Sequence, residues 1–283
     1  MPPPLASRYL ELDDREAALR YLGRNAAANL LLLDLTAKLG SRAEPGESRT
    51  ELVGVWRDDE LIAMAGLRPS VVLDAHAGDE AVQALIPYLE NFSVGLVKSF
   101  EPIVDELWKH LAKRRDRRSL VDRIETAYSL KPEDAVLADS RAGEIGRTAR
   151  RRDLPDLVIA ARESLREESR PDPFSGDMKG FSRWVRGRIP RARVVEADGR
   201  VRMVGYVDVQ RPEGWLIQGI YTWPEDRREG FAAFGVSELC REAFAAGADH
   251  VQLAVVDGNE PATRLYESLG FKPFTKLRNI LFT

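Results

Sequence analysis

Apolar residues follow two rhythms along this chain, one of three to four residues and one of two, and each stretch takes the structure its rhythm dictates. In the first half, residues 13–39 have helical composition. Residues 50–56 and 61–67 are β-rich runs joined by the polar turn Arg57, Asp58, Asp59 and Glu60, which predicts a hairpin. Residues 71–73 extend that sheet, 79–89 and 101–111 read as helices, 94–98 as a strand between them and 120–128 as a last strand. Over residues 131–143 the periodicity gives way to polar and small side chains, and a linker is expected.

A second cycle opens with a strand over residues 145–149. Asp153 is placed to cap the next helix, whose first turn holds Pro155 and which is expected to run to about Glu168. Pro171 and Pro173 break the chain, and 174–188 reads as another helix. Residues 193–197 and 201–210 form a hairpin across Asp198 and Gly199, and 215–222 continue the sheet. Ala232, Val236, Leu239, Ala243 and Ala246 recur at intervals of three and four, one apolar stripe on a helix that ends at Gly247. Val251, Leu253 and Val255 alternate through another strand, and 271–282 are expected to supply a final pair of strands. The strand, acidic turn, strand layout of residues 52–67 returns in 194–207, with Gly66 and Gly205 in similar places. We read a diverged repeat, each copy a mixed sheet with helices on its faces.

Composition narrows the classes. A chain of 283 residues suits two domains of roughly 100–150 residues each, and its 31% charged and 44% hydrophobic content is that of a folded chain. A net charge of −3 gives no global attraction to nucleic acid or an anionic membrane. Basic residues gather at 109–118, read as a solvated helix end, and at 147–152; RNA contact is the lesser reading of both. Cys240 has no second cysteine to pair with, and His76, His110 and His250 offer no zinc-ligand spacing, so no metal and a reducing cytoplasm are expected. The apolar stretch 26–35 is interrupted by Asn29 and Asp34 and falls short of the ~20 residues a bilayer crossing needs; it reads as a buried helix. The first residues lack a basic region followed by an apolar one, so no signal peptide is expected. Trp184, Trp215 and Trp223 read as core rather than as a pocket lining.

Candidate chemistry lies at residues 220–233, where a strand runs into a glycine turn and then a helix. Gly230 lets backbone approach a ligand where a side chain would collide, and the free amides of the following helix favour a phosphate. Arg227 and Arg228 add positive charge. Further on, Asn259 and Tyr266 stand seven positions apart, two helical turns, so they share one side of a short helix.

Arg227, two residues, Gly230, one residue and Ala232 resemble the pyrophosphate loop of the GNAT superfamily of acyl-CoA N-acyltransferases, and Asn259 and Tyr266 fall where that family keeps a coenzyme-contacting Asn and a proton-donating Tyr. The resemblance is detailed from Glu144 onward and extends to shape alone before it. It implies an α/β (α+β) fold class of two tandem GNAT-like domains, each a mixed, mostly antiparallel twisted sheet flanked by helices. Residues 1–130 would be a degenerate N-terminal copy, since 73–89 carry no such loop motif, with 131–143 a linker and 144–283 the catalytic domain. Acetyl-CoA is the implied co-substrate. Backbone at Ile220, Tyr221 and Thr222 would bind pantetheine and the thioester carbonyl, and Arg227, Arg228, Glu229, Gly230, Phe231, Ala232 and Ala233 would surround the pyrophosphate. Asn259 would position pantetheine or a water, and Tyr266 would be the general acid.

The general base stays unassigned: Gln218 stands where an acid is wanted, and Asp208, Glu213 and Glu225 are candidates without support. The expected function is acetyl transfer to an unidentified amine in a ternary complex. The alternative is a non-catalytic acyl-CoA sensor or scaffold, favoured by the missing base. Neither membrane nor nucleic acid is expected as a partner, and a homodimer is allowed.

Overall fold

The computed structural model describes residues 4–42, 48–68, 70–90, 92, 94–113 and 117–283. The first three residues, and Arg114, Arg115 and Asp116 of the first basic run, lie outside the described residues. The chain divides into two compact units, Met1–Ala127 with Thr275–Thr283, and Tyr128–Phe274.

The first unit holds β1 (Ala6–Tyr9), α1 (Arg15–Gly23), α2 (Leu30–Ala37), β2 (Glu51–Arg57), β3 (Glu60–Arg68), β4 (Val72–Leu73), α3 (Asp79–Leu89), β5 (Gly95–Phe100), α4 (Glu101–Ala112) and most of β6 (Ser119–Leu130). The expected hairpin is β2 and β3, turned by Asp58 and Asp59 at φ of 47° and 64°. Its sheet runs β1-β2-β3-β4. The apolar stretch that was too short for a bilayer becomes α2, with Leu30, Leu32, Leu33 and Leu35 buried, and no helix among the described residues is long and apolar enough to cross a membrane. Arg117 departs from the solvated-end reading. It is buried, and its guanidinium donates to the carbonyls of Leu89 and Glu90 and to Leu111, where α3 and α4 run out of intrahelical donors.

The second unit holds β7 (Ile145–Thr148), α5 (Leu154–Glu167), α6 (Met178–Gly187), β8 (Ala192–Ala197), β9 (Arg200–Arg211), β10 (Gly214–Thr222), α7 (Phe231–Ala245), β11 (Val251–Val256) and α8 (Glu260–Ser268). Its strands lie in the order β7-β8-β9-β10-β11, antiparallel except where β10 meets β11. Alternation along β8 and β9 sends Val194, Val204 and Tyr206 to one core with Leu157 and Ala160 of α5 and Phe181 and Val185 of α6. Val195, Met203 and Val207 go to the other, with Leu239 and Ala243 of α7. Helices therefore cover both faces.

Three local expectations change. Asp153 does not cap α5: its carboxylate takes the amide of Arg150 at 2.6 Å and the guanidinium of Arg147 at 2.7 and 2.9 Å. The following helix α6 starts at Met178, later than expected, because Asp177 caps it by accepting from the amides of Lys179 and Gly180. The C-terminal residues form one strand, β12 (Lys272–Phe282), not a pair. The ladder runs through without a turn, Arg278 opposite Ser99 and Asn279 opposite Lys98.

Candidate active site

The site is built where β10 leaves its neighbours. Across from β9 the register slips twice. Between Leu216 and Ile217 the partners jump from Val209 to Val207, which leaves Asp208 as the extra residue on β9. Between Gln218 and Tyr221 they move from Tyr206 to Val204, which leaves an extra residue on β10. Gly219 sits in that second bulge at φ 60°, and a Cβ there would lie 3.0 Å from the ring of Tyr206. Toward β11 the pairing is brief: Trp215 lies opposite Val251 and Leu216 opposite Gln252. Beyond that both strands run on, to Thr222 and Val256, with no further pairing to each other. The two parallel strands part, and the edge of β10 over Ile217 to Ile220 is free of β11. A gap of this kind offers backbone donors and acceptors to a ligand lying along the strand.

At its end β10 passes through a single 3-10 turn, Pro224–Asp226, into the loop before α7. Asp226 anchors that turn. It is 5% exposed, and one carboxylate oxygen accepts from Arg202 of β9 at 2.6 Å. Arg228 and Gly230 both adopt left-handed backbone, φ 65° and 88°. For Arg228 that conformation costs roughly 1–2 kcal/mol, and for Gly230 it is free. The first intrahelical bond of α7 is Phe234 N to Gly230 O at 3.0 Å, so the amides at the start of the helix have no acceptor within it. Its first turn holds no acidic residue. Aligned amides, a positive dipole end and a first turn without acids form a cradle of the kind that suits an anion such as a diphosphate.

The predicted side chains around the cradle divide. Arg227 is committed elsewhere, donating to Glu167 of α5 at 2.5 Å and to the carbonyl of Thr222 at 3.0 Å. Arg228 is exposed and, among the described residues, has no ion-pair partner. Ile220 and Tyr221 face opposite cores, so only their backbone is available on the strand edge, while the carbonyl of Thr222 already accepts from Arg227. The side-chain oxygen of Thr222 is buried without a partner. Glu229 contributes its carbonyl, which accepts from Arg141 Nη1 at 2.6 Å. Phe231, Ala232 and Ala233 supply the first amides of the helix.

Arg141 is the residue that sequence reasoning missed. It lies in the stretch expected to be a linker, 88 positions before its hydrogen-bond partner, and no local pattern connects them. A Cβ built on Gly230 would lie 2.8 Å from Arg141 Nη2, so the guanidinium rests directly on the glycine of the loop.

Asn259 caps α8: its Oδ1 accepts from the amide of Ala262 at 3.3 Å. Tyr266 lies two turns on, 7% exposed, its ring edge-on to Phe271 at 5.8 Å between centroids. It shares a core with Ile217 of β10, Val255 of β11 and Cys240 of α7. Among the described residues its hydroxyl has no hydrogen-bond partner. A buried phenol normally finds one, so this hydroxyl is left to solvent or a ligand. Burial, with the nearby Cys240 adding to it, holds the phenol's pKa well above that of a free tyrosine, and it keeps its proton at every physiological pH. Cys240 is itself pushed up to about 12 by burial, which leaves it an inert thiol.

Of the acids weighed as a base, Glu213 pairs with Arg211 at 2.8 Å and Glu225 with Arg200 at 3.7 Å. Asp208, on the first bulge, accepts from Arg188 at 3.2 Å through both oxygens. That guanidinium stacks on Tyr206 at 4.4 Å and on Trp184 at 5.0 Å. Gln218 lies opposite Tyr206, one strand from this cluster. Within the second basic run Arg147 pairs with Asp153 and Glu196 and Arg152 with Glu196, while Arg150 and Arg151 are exposed. No group of three or more metal-ligating side chains occurs among the described residues.

Comparison with known proteins agrees with this geometry. Residues 157–271 match the model of the Acetyltransferase (GNAT) family. A curated Bacillus subtilis protein, the SPbeta prophage-derived uncharacterized N-acetyltransferase YokL, is 29% identical over 160 residues, covering 56% of this chain and 81% of that protein. Among solved structures, a Drosophila protein superposes with a TM-score of 0.72 at 14% identity over 97% of this chain and 98% of its own. A GCN5-related N-acetyltransferase from Sphaerobacter thermophilus gives 0.64 at 16% identity, covering 99% and 96%. A tandem GNAT protein from the clavulanic acid biosynthesis pathway gives 0.56 at 13% identity, covering 99% and 97%. At such identities the structural likeness speaks for the fold, and the family match supplies the rest: residues 157–271 form an acetyltransferase domain of the GNAT family.

Proposed function

We propose that this chain is an N-acetyltransferase that moves an acetyl group from acetyl-CoA to an amine by direct attack in a ternary complex. The single observation that carries the proposal is the parting of β10 from β11 after Leu216 and Gln252, on the strand that ends at Thr222 and leads into the Gly230 loop. A thioester lying in the gap would have its diphosphate on the cradle. The catalytic work falls to residues 144–283, joined through 131–143 to residues 1–130, a GNAT-like copy that lacks the loop.

In this reading the amides of Phe231, Ala232 and Ala233, with the backbone of Arg228, Glu229 and Gly230, hold the diphosphate. The free edge of β10 at Ile220, Tyr221 and Thr222 orients pantetheine and donates to the carbonyl oxygen as negative charge develops on it. Preorganised donors of this kind contribute about 3–4 kcal/mol to lowering the barrier. The amine nitrogen attacks the carbonyl carbon, the carbon–sulfur bond breaks, and the departing thiolate takes the proton of Tyr266, which recovers it from solvent. Asn259 steadies pantetheine or a water from the start of α8. The attacking nitrogen loses its proton to water, since Asp208, Glu213 and Glu225 are each paired with an arginine. A single buried, unpaired cysteine suits a reducing cytoplasm.

The test is release of free thiol from acetyl-CoA across a panel of small amines, amino acids, peptide N-termini and lysine peptides, with the acetylated product identified by mass. Thiol release that depends on an amine supports the proposal. Coenzyme binding with no turnover on any member of the panel would mean a sensor or scaffold.

A further inference from the structure

The segment between β6 and β7 has no regular structure beyond one 3-10 turn, yet it is fastened along its length. Val136 N donates to the carbonyl of Leu269 at 3.0 Å, at the end of α8. Ala138 N donates to Ser237 Oγ of α7 at 2.9 Å, and that hydroxyl donates onward to the carbonyl of Ala233 at 2.7 Å. Arg241 of α7 reaches back to the carbonyl of Ala138 and to the carboxylate of Asp139, at 2.9 and 3.0 Å. Arg141 N donates to Glu144 Oε2 at 2.9 Å, and Glu144 N to the carbonyl of Arg141 at 3.1 Å, a closed turn that fixes where the Arg141 side chain begins. The segment runs as a strap along α7 toward its N-terminus, and Arg141 is what it delivers there.

Charge accounting singles this residue out. Five arginines border the turn and loop. Arg200 is paired with Glu225, Arg202 with Asp226 and Arg227 with Glu167. Among the described residues neither Arg141 nor Arg228 has a carboxylate partner. Arg228 sits on the loop itself. Arg141 comes from outside it, and its Nη1 is held by the Glu229 carbonyl while Nη2 lies over Gly230. A guanidinium tethered by one nitrogen, with the rest of its planar fork free and unneutralised at a helix N-terminus, is arranged to take phosphate oxygens.

We propose that Arg141 is a coenzyme-binding residue of this enzyme, its guanidinium pairing with the diphosphate seated on the first turn of α7. The proposal rests on the acetyl-CoA reading above and adds to it a cation supplied by the strap. It also gives the strap a purpose: the hydrogen bonds from α7 and α8 hold Arg141 in register with the loop before the coenzyme arrives.

The experiment is calorimetric titration of the full chain with CoA and with dephospho-CoA, which keeps the diphosphate and lacks the 3′-phosphate, for the wild type, Arg141→Ala and Arg141→Lys. Arg141→Ala is expected to weaken both ligands by about tenfold, and Arg141→Lys by less, with the salt dependence of binding reduced in Arg141→Ala. Because Arg141 is exposed, the thermal midpoint of the variant should match the wild type. Unchanged affinity in Arg141→Ala overturns the proposal, and so does a loss seen with CoA alone, which would assign the residue to the 3′-phosphate. Failure of the wild type to bind either ligand would overturn the acetyl-CoA reading itself, a result that cannot be confused with the others.

Discussion

Two helices in this molecule start the same way and face opposite chemistries. Both α3 and α7 follow a strand and a short turn, and both have glycine at the residue before the first helical turn, Gly78 and Gly230. Before α3, Gly78 has φ −75°, the turn carries the buried Asp74, which accepts from the amides of Met64 and His76, and the first turn of the helix holds Asp79 and Glu80. Before α7, Gly230 is left-handed, the first turn holds no acid, and unneutralised arginines stand beside it. A helix N-terminus attracts anions by roughly 0.3–1 kcal/mol per charge at an exposed site. At α3 the chain's own carboxylates take that attraction, whereas at α7 it is left for a ligand. The repeat of strand, turn and helix therefore sets a frame, and the acids or glycine placed in it decide whether it can hold a phosphate.

The sharpest way to break the comparison is through the reaction itself. If only the second unit carries a working site, Tyr266→Phe should lower kcat by about a hundredfold, the lower range for a positioned general acid. Coenzyme affinity should stay within about twofold, because the ring stays in place. A steady-state assay at saturating acetyl-CoA decides it, and an unchanged kcat would leave Tyr266 as a core residue only.

Next in size is one substitution made at both helix starts. Gly230→Val places a β-branched residue at φ 88° with its Cβ within 2.8 Å of Arg141, and the expected loss of coenzyme affinity is tenfold or more. The same change at Gly78, whose φ is already extended and whose Cβ would meet nothing within 4 Å, should leave coenzyme binding untouched. Equal losses at the two positions would erase the distinction between the helices.

What could be read in advance follows the same division between local and distant causes. The hairpin turns, Asp58 with Asp59 and Asp198 with Gly199, were legible because their positive φ angles are a local demand that few residues meet. The cradle was legible for the same reason at Gly230. The strand β1 was not: Ala6–Tyr9 shows no apolar alternation and is a strand only because β2 offers its edge. Nor was the bulge at Gly219, which exists through its mismatch with β9, or the strap, whose fixing points lie about a hundred residues away at Ser237 and Arg241. The cap at Asp177 and the failed cap at Asp153 differ in backbone, ψ 87° against −5°, and in what else each carboxylate can reach, which for Asp153 is Arg147.

A smaller effect separates the buried acids of the two units by pH. The Arg147 guanidinium holds the Asp153 carboxyl below the usual carboxylate range, so Asp153 contributes stability that is present above about pH 4 and lost as pH falls through its lowered value. Asp74 is opposite: burial raises it, so the protein gains stability from this residue as pH falls from its raised value toward about 4. Relative to Asp153→Asn, the wild type should be more stable at neutral pH by about 1–2 kcal/mol, an advantage that shrinks in acid. Relative to Asp74→Asn, it should improve on mild acidification. Denaturant titrations from pH 7 down to about pH 3 test both slopes, and slopes of the same sign would refute the assignment of causes.

The smallest expected effect is none at all, and it bears most directly on whether the first unit can bind a coenzyme. Removing the two acids of α3 with Asp79→Asn and Glu80→Gln strips away its self-neutralisation without supplying a left-handed glycine, a gap beside the preceding strand or a tethered arginine. Even with those charges gone, β4 is only two residues long and Asp74 still occupies the amides of the turn. Equilibrium binding should therefore give one CoA per chain in the wild type and one in the double variant. A second equivalent site in the wild type would contradict the asymmetry between the units. A second site created by the two substitutions would mean that charge alone kept the first unit from binding, and that the backbone features of the Gly230 loop matter less than the comparison of the two helices implies.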